Sequence, residues 1–265
     1  RADYRLMTQS VFDPDNNGVW DEPDVLRVRQ WLDAVIPDHW EGRLVLNWEG
    51  VALQRLAAGM DHPGFDEQVA EFVELVEFVV ALRPEAQVGY YSLPVRAYWG
   101  QDEYWRQSAY AYKPILDAST ALFPSSYDFY STNPDGDHER HGNIVRLALE
   151  LSNGDPVYFF TWHRYHPSNS DVGRRQIPSE EYIAHLNHLI HVEYGDAKPA
   201  GLVCWSNDMA WHNEAFAVDD EGNWVHDDEL MAHLRELLLD EMLPGETSEE
   251  ALTRIHTRVY QDAIE

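Results

Sequence analysis

Short apolar runs alternate along the chain with longer segments in which apolar residues recur every three or four positions. The runs fall at residues 4–11, 43–49, 86–92, 121–125, 157–163 and 201–206. Their length and their β-branched and aromatic content read as strands. Between them the 3.6-residue period predicts helices over 23–35, 65–82, 103–117, 142–151 and 179–194, with more helix over 228–242 and after 249. Strand–helix alternation predicts a parallel sheet with crossover helices, so the fold class is α/β. A chain of 265 residues can bury one sizeable core, and 1–265 is expected to form a single catalytic domain.

The ends of the strand runs are polar or aromatic: Asn47-Trp48-Glu49, Tyr90-Tyr91, Tyr127, His163 and Trp205-Ser206-Asn207-Asp208. A barrel brings the C-terminal ends of its strands to one mouth, where such residues serve chemistry rather than packing. Six runs stand out where a complete barrel has eight strands. The expectation is therefore a distorted (β/α) TIM-like barrel with about seven strands.

Composition narrows the function. The net charge is −28 and the only lysines are Lys113 and Lys198. A phosphate backbone needs a basic footprint, so nucleic acid is excluded as a partner. The acidic surface has a bland reading in adaptation to salt, since like-charge repulsion keeps a protein soluble. With 44% hydrophobic and 12% aromatic residues the chain can fold, yet no apolar run is long enough to span a bilayer. It opens on Arg1 without a Met, so it is expected to be processed or trimmed, with any signal peptide out of view, and the expected location is secreted or periplasmic. Cys204 is the single cysteine and lies in an apolar run, which suits a buried thiol rather than a nucleophile.

The candidate chemistry begins at Leu44-Val45-Leu46-Asn47-Trp48-Glu49-Gly50. Alternation on a strand points Asn47 and Glu49 to one face. A carboxyl and an amide side by side in a barrel mouth suit glycoside cleavage, which needs an acid to protonate the leaving oxygen. The competing role for Glu49 is to cap the following helix. Aromatic residues at several strand ends, Trp48, Tyr90, Tyr91, Tyr127, Trp162, Tyr165 and Trp205, suit the apolar faces of sugars, although some must be core.

A second motif, from Asp13 to Asp24, has the D-x-[DN]-x-[DN]-G core of a calcium loop. Its candidate ligands are Asp13, Asp15, Asn17, Asp21 and Asp24, with Asp at the last position in place of the usual Glu. They predict a structural Ca²⁺; the alternative is an Asp- and Asn-rich turn. The histidines at 138 and 141, in a polar loop, and at 185, 188 and 191, on a predicted helix, lack the convergent set that zinc requires.

Several segments together resemble the animal and venom hyaluronidases. Ile36-Pro37-Asp38 through Asn47-Trp48-Glu49 is similar to that family's "IPD…F.G…DWE" run. Arg83-Pro84 with Gly89-Tyr90-Tyr91-Ser92-Leu93-Pro94 resembles "RP…GYYGFP", and Ala121-Leu122-Phe123-Pro124-Ser125-Ser126-Tyr127 resembles "ALFPSIY". Val157-Tyr158-Phe159-Phe160 with Tyr165, Pro178-Ser179-Glu180-Glu181, and Gly201-Leu202-Val203-Cys204-Trp205-Ser206 follow in the same order. The resemblance implies a distorted barrel and substrate-assisted retention, in which the acetamido carbonyl of the substrate attacks the anomeric carbon. It implies Glu49 as acid and then base, and Tyr127, Tyr165 and Trp205 around the reacting sugar. The family has Asp where this chain has Asn47, and its disulfides are absent.

The function expected is glycoside hydrolysis of an oligo- or polysaccharide at an N-acetylhexosamine, with no cofactor required for catalysis. Glu49 and Asn47 are the catalytic candidates, and Tyr90, Tyr91, Tyr127, Asp128, Tyr165 and Trp205 the substrate-binding ones. Two alternatives stay open. One is a two-carboxylate glycosidase acting on a neutral polysaccharide, with Asp128 or Asp208 as the second acid. The other is a non-catalytic glycan-binding protein on the same fold.

Overall fold

The computed structural model describes residues 4–205, apart from Asn133, Arg174 and Gln176. The helix expected over 228–242 and the candidate Asp208 lie outside the described residues. In chain order the elements are β1 (Tyr4–Thr8), α1 (Gln9–Phe12), α2 (Glu22–Val35), β2 (Arg43–Asn47), α3 (Gly50–Ala57), α4 (Phe65–Leu82), β3 (Gln87–Tyr90), α5 (Glu103–Ala111), α6 (Lys113–Ala118), α7 (Pro134–Leu151), β4 (Tyr158–Thr161), α8 (Ser179–Ile190) and β5 (Gly201–Cys204). The chain divides into two compact units. The first comprises 1–126, 135–161 and 188–203; the described part of the second comprises 127–134, 162–187 and residues 204 and 205, less those set aside above.

The strands follow one another in sequence order. β1, β2 and β3 are parallel, with Tyr4 beside Arg43, Arg43 beside Gln87, and Thr8 beside Asn47. Residues 121–125, expected as a strand, are joined to their neighbours by single parallel bridges, Tyr91 to Phe123, Leu122 to Val157 and Ser125 to Phe160. β4 then pairs with β5. Gly89 lets the 121–125 segment lie close: a Cβ there would stand 1.9 Å from the Ala121 carbonyl oxygen.

The strands form a three-stranded sheet, β1-β2-β3, and a two-stranded one, β4-β5. The Arg43 guanidinium lies 4.1 Å from the centre of the Tyr158 ring and donates to its hydroxyl at 3.0 Å. That hydroxyl donates to Gln87 Oε1 at 3.0 Å. Phe123 stacks on Tyr158 at 5.9 Å and meets Phe160 edge-on at 6.4 Å, and Phe160 meets Tyr91 at 5.1 Å. Side chains from the starts of β2, β3 and β4 thus meet on one side of the strands. Arg43 therefore identifies the inner face of β2, and alternation puts Asn47 on the same side.

The other face packs on helices. Leu44, Leu46 and Trp48 are buried there, with Phe72, Leu75, Val76 and Val79 of α4. α2 starts where its sequence says, with Asp21 at the N-cap in a reciprocal capping box with Asp24 and Pro23 in the first turn. Besides α3, which the pattern does not predict, three elements differ from the expectation. Chain expected as strand over 9–11 is the short helix α1. The predicted helix 103–117 breaks into α5 and α6 around Tyr112, where Pro114 opens the second piece. α7 begins at Pro134 rather than 142, which puts His138 and His141 on a helix. Proline is favoured in a first turn, whereas the weak formers Gly136, Asp137 and His138 masked the helical period.

Candidate active site

β2 ends at Asn47, and α3 begins at Gly50, so Trp48 and Glu49 form the turn between them. Glu49 occupies the N-cap position of α3, but its side chain makes no capping hydrogen bond. Its Oε2 instead accepts from Asn47 Nδ2 at 3.0 Å. Asn47 is half-buried, and its Oδ1 is buried with no hydrogen-bond partner among the described residues. A buried acceptor left unpaired is costly unless a ligand completes it. The Glu49 side chain is exposed. The pair therefore presents one carboxylate to solvent and one inward acceptor beside it.

Trp48, between them, points the opposite way. It is 1% exposed, stacks on Phe72 at 4.5 Å and meets Phe12 edge-on at 5.4 Å. Its indole N–H donates to Asp13 Oδ2 at 2.8 Å. It is an anchor for the strand end, not a sugar platform.

The two adjacent tyrosines separate by the same alternation. Tyr90 pairs with Leu46 and faces the helices, where its hydroxyl donates to the Phe72 carbonyl at 2.7 Å. Burial pushes its phenol well above the ordinary range. The structure thus takes Tyr90 out of the expected substrate set and into the core. The Tyr91 amide donates to the Leu46 carbonyl at 3.0 Å, continuing the register so that Tyr91 stands beside Asn47 on the inner face. Its hydroxyl lies 3.2 Å from Ser125 Oγ, which also accepts from Arg96 at 3.0 Å.

The second unit gathers several of the other candidates. Tyr127 lies 5.8 Å from Trp205 and 6.3 Å from Trp162, and Trp162 meets Trp205 edge-on at 5.0 Å. His166 lies 6.2 Å from the same tyrosine. Tyr165 is 4% exposed and donates to Glu181 Oε1 at 2.9 Å. Asp128 is 2% exposed, with His185 Nδ1 3.2 Å from its Oδ1. The sequence reading gave His185 no role, because its partner lies 57 positions away. A second buried carboxylate–imidazole pair, Asp137 and His141 at 3.7 Å, sits one turn apart on α7 in the first unit. That spacing was legible once the helix was known.

The residues expected to bind calcium have other partners. Asp13 is 1% exposed. Its Oδ1 accepts the Asn17 amide at 2.9 Å, and its Oδ2 accepts the Gly18 amide at 3.2 Å, the Trp48 indole, and Gln9 Nε2 at 3.4 Å. Three of these donors crowd Oδ2, while Oδ1 accepts a single amide. Asn17 bonds to Asp15 and to the Val19 amide, while Asp21 and Asp24 cap α2 and Asp24 pairs with Arg27. Among the described residues, no three of these acids bring their oxygens within 4.8 Å of one another. As arranged, these side chains bond to one another and to nearby amides.

No protein-family model and no curated protein matches the chain. Solved structures of bee venom hyaluronidase do match in fold. Its complex with a hyaluronic acid tetramer aligns with a TM-score of 0.61 at 15% identity, covering 90% of this chain and 84% of that one. A monoclinic crystal form gives 0.63 at 14% identity, covering 90% and 85%. At that identity the likeness is one of fold.

Proposed function

We propose that this chain is a glycoside hydrolase that cleaves a glycan at an N-acetylhexosamine with retention, the acetamido group of the substrate serving as nucleophile. In the first step Glu49 gives its proton to the glycosidic oxygen. The bond from that oxygen to the anomeric carbon breaks as the acetamido oxygen attacks the same carbon. In the second step the Glu49 carboxylate takes a proton from water, whose oxygen opens the cyclic intermediate. Such substrate-assisted enzymes depart from the usual two-carboxylate scheme.

The observation that carries this reading is the divided bonding of Asn47. Its Nδ2 holds Glu49 at 3.0 Å, while its Oδ1 stays buried and without a partner among the described residues. An acetamido N–H is a ligand of the right polarity for that oxygen, and accepting it would turn the acetamido carbonyl toward the anomeric carbon. Asn47 contributes a dipole where an aspartate would contribute charge. Asp128, the described candidate for a second acid, is buried against His185, which favours the substrate's own group as nucleophile.

The shared fold supports a saccharide as the ligand class, since one of the similar structures holds a hyaluronic acid tetramer. A net charge of −28 opposes a polyanion, so neutral glycans rank first here. This reading also favours a location outside the cytoplasm, where such polymers occur. The test is a panel of neutral and acidic oligosaccharides assayed for new reducing ends, including pairs that differ only in the N-acetyl group. Turnover confined to N-acetylated members supports the proposal. Equal turnover of both members of a pair overturns substrate assistance, and no turnover of any glycan overturns the enzyme.

A further inference from the structure

The loop of residues 13–18, which resembles a calcium site in sequence, touches the chain on both sides of Glu49. Asp13 Oδ2 accepts the indole N–H of Trp48 at 2.8 Å. Asn16 Oδ1 accepts the Val51 amide at 3.1 Å and Gln9 Nε2 at 2.7 Å. Val51 is the second residue of α3, so Asn16 satisfies an amide that the N-cap residue, Glu49, would ordinarily bind. The approach is close: a Cβ on Gly50 would stand 2.1 Å from Asn16 Oδ1, and Gly50 has φ +59°. Asn16 itself has φ +55°, a conformation that Asn tolerates better than most residues.

We propose that this loop positions Glu49, Asp13 by fixing Trp48 and Asn16 by capping α3 in its place, so that the Glu49 carboxylate stays on Asn47. The inference rests on the reading of Glu49 as the acid. A carboxylate at an N-cap is drawn to the free amides and the positive end of the helix. With Val51 already bonded to Asn16, that pull is reduced, and Glu49 Oε2 is found on Asn47 Nδ2. Asp13 acts from the other side: its loop amides hold the carboxylate, and the carboxylate holds the indole of the residue that precedes Glu49. Asn16 and Asp13 are positioning residues, because neither reaches the solvent side of Glu49 except through these neighbours.

The test uses the whole chain without any glycan. Asn16→Gly removes the side chain and still allows a positive φ. Asn16→Asp keeps an acceptor oxygen at the same place. In Asn16→Gly the Glu49 carboxyl carbon and the Asn47 side-chain amide should both shift in NMR spectra, as the carboxylate moves to the Val51 or Ala52 amide. Asn16→Asp should restore both signals. A crystal structure of Asn16→Gly should show the same move. If the Val51 amide exchanges faster but the Glu49 and Asn47 signals stay in place, the loop only stabilises α3 and the proposal is overturned. Kinetics then add a separate arm. With any oligosaccharide the enzyme turns over, Asn16→Gly should lower kcat about tenfold with KM within about twofold, since misplacing a reacting group affects the chemical step. Full turnover by Glu49→Gln would remove the catalytic reading of Glu49 while leaving the NMR result to decide the positioning.

Discussion

Asn47 separates substrate assistance from other glycosidase chemistry, and two substitutions there give opposite expectations. Asn47→Ala removes both the 3.0 Å bond to Glu49 and the inward acceptor. A preorganised group that acts on developing charge is typically worth about 10²–10³ in kcat. A neutral hydrogen bond in the ground state is worth about 0.5–1.5 kcal/mol, so KM should rise by roughly tenfold or less. Asn47→Asp restores an acceptor and adds an anion at the same 3.0 Å from Glu49. Two like charges that close repel, which opposes ionisation of both at once. Glu49 must be protonated to act, so the alkaline fall of kcat should move upward in Asn47→Asp. Activity on the N-acetylated substrate should be kept or raised, because the anion faces the positive charge of the intermediate. The assay is initial rate against pH for both variants, on oligosaccharide pairs with and without the N-acetyl group. If Asn47→Ala slows both members of a pair by the same factor, its oxygen does not hold the acetamido group.

Four further expectations follow from the same contacts. Glu49→Gln should abolish turnover, by about 10²–10⁴-fold or more, and leave glycan affinity within a few-fold in calorimetry; an active variant means that another residue is the acid. Calcium and EDTA should leave the melting temperature unchanged, because Asp13 is held by N–H donors and Asp21 and Asp24 cap α2; a calcium-dependent rise of several degrees would show that the loop takes up an ion. Gly89→Ala should cost about 3 kcal/mol or more in chemical denaturation, since its Cβ would meet the Ala121 carbonyl at 1.9 Å; a stable variant would mean that 121–125 is not packed as described. Tyr90→Phe should lose about 1 kcal/mol of stability and none of the activity, whereas Tyr91→Phe should change KM; the reverse pattern would exchange the two faces of β3.

The parts of this fold that were legible in the sequence are those whose cause is local. α2 and α4 show a full helical period over 14 and 18 residues, and α2 carries its own cap at Asp21. The alternation that puts Asn47 and Glu49 together is a property of one strand. What the sequence left open depends on partners far along the chain. Alternation says that Tyr90 and Tyr91 face opposite ways, but not which one faces inward. That is decided by contacts such as Arg43 on Tyr158, 115 positions apart. α3 escaped the pattern reading because the residue that caps it, Asn16, lies 35 positions before Val51.

The Asp13–Asp24 motif shows the same dependence on distant partners. A run of Asp and Asn oxygens around a glycine is as able to accept amide hydrogens as to ligate a cation, and the donor that completes the set, the Trp48 indole, is 35 positions from Asp13. The two motifs that looked separate in sequence, Asp13–Gly18 and Asn47–Gly50, are one arrangement in space. In it the carboxylate and the amide of the first motif contact the second. The role of Glu49 thus depends on which side chain caps the helix after it, a choice made by Asn16 rather than by Glu49 itself. On the proposed reading, a carboxylate relieved of capping and bonded to a neutral amide beside an unfilled acceptor stands where it can pass a proton to a bound glycan, and Asn16→Gly tests whether the loop keeps it there.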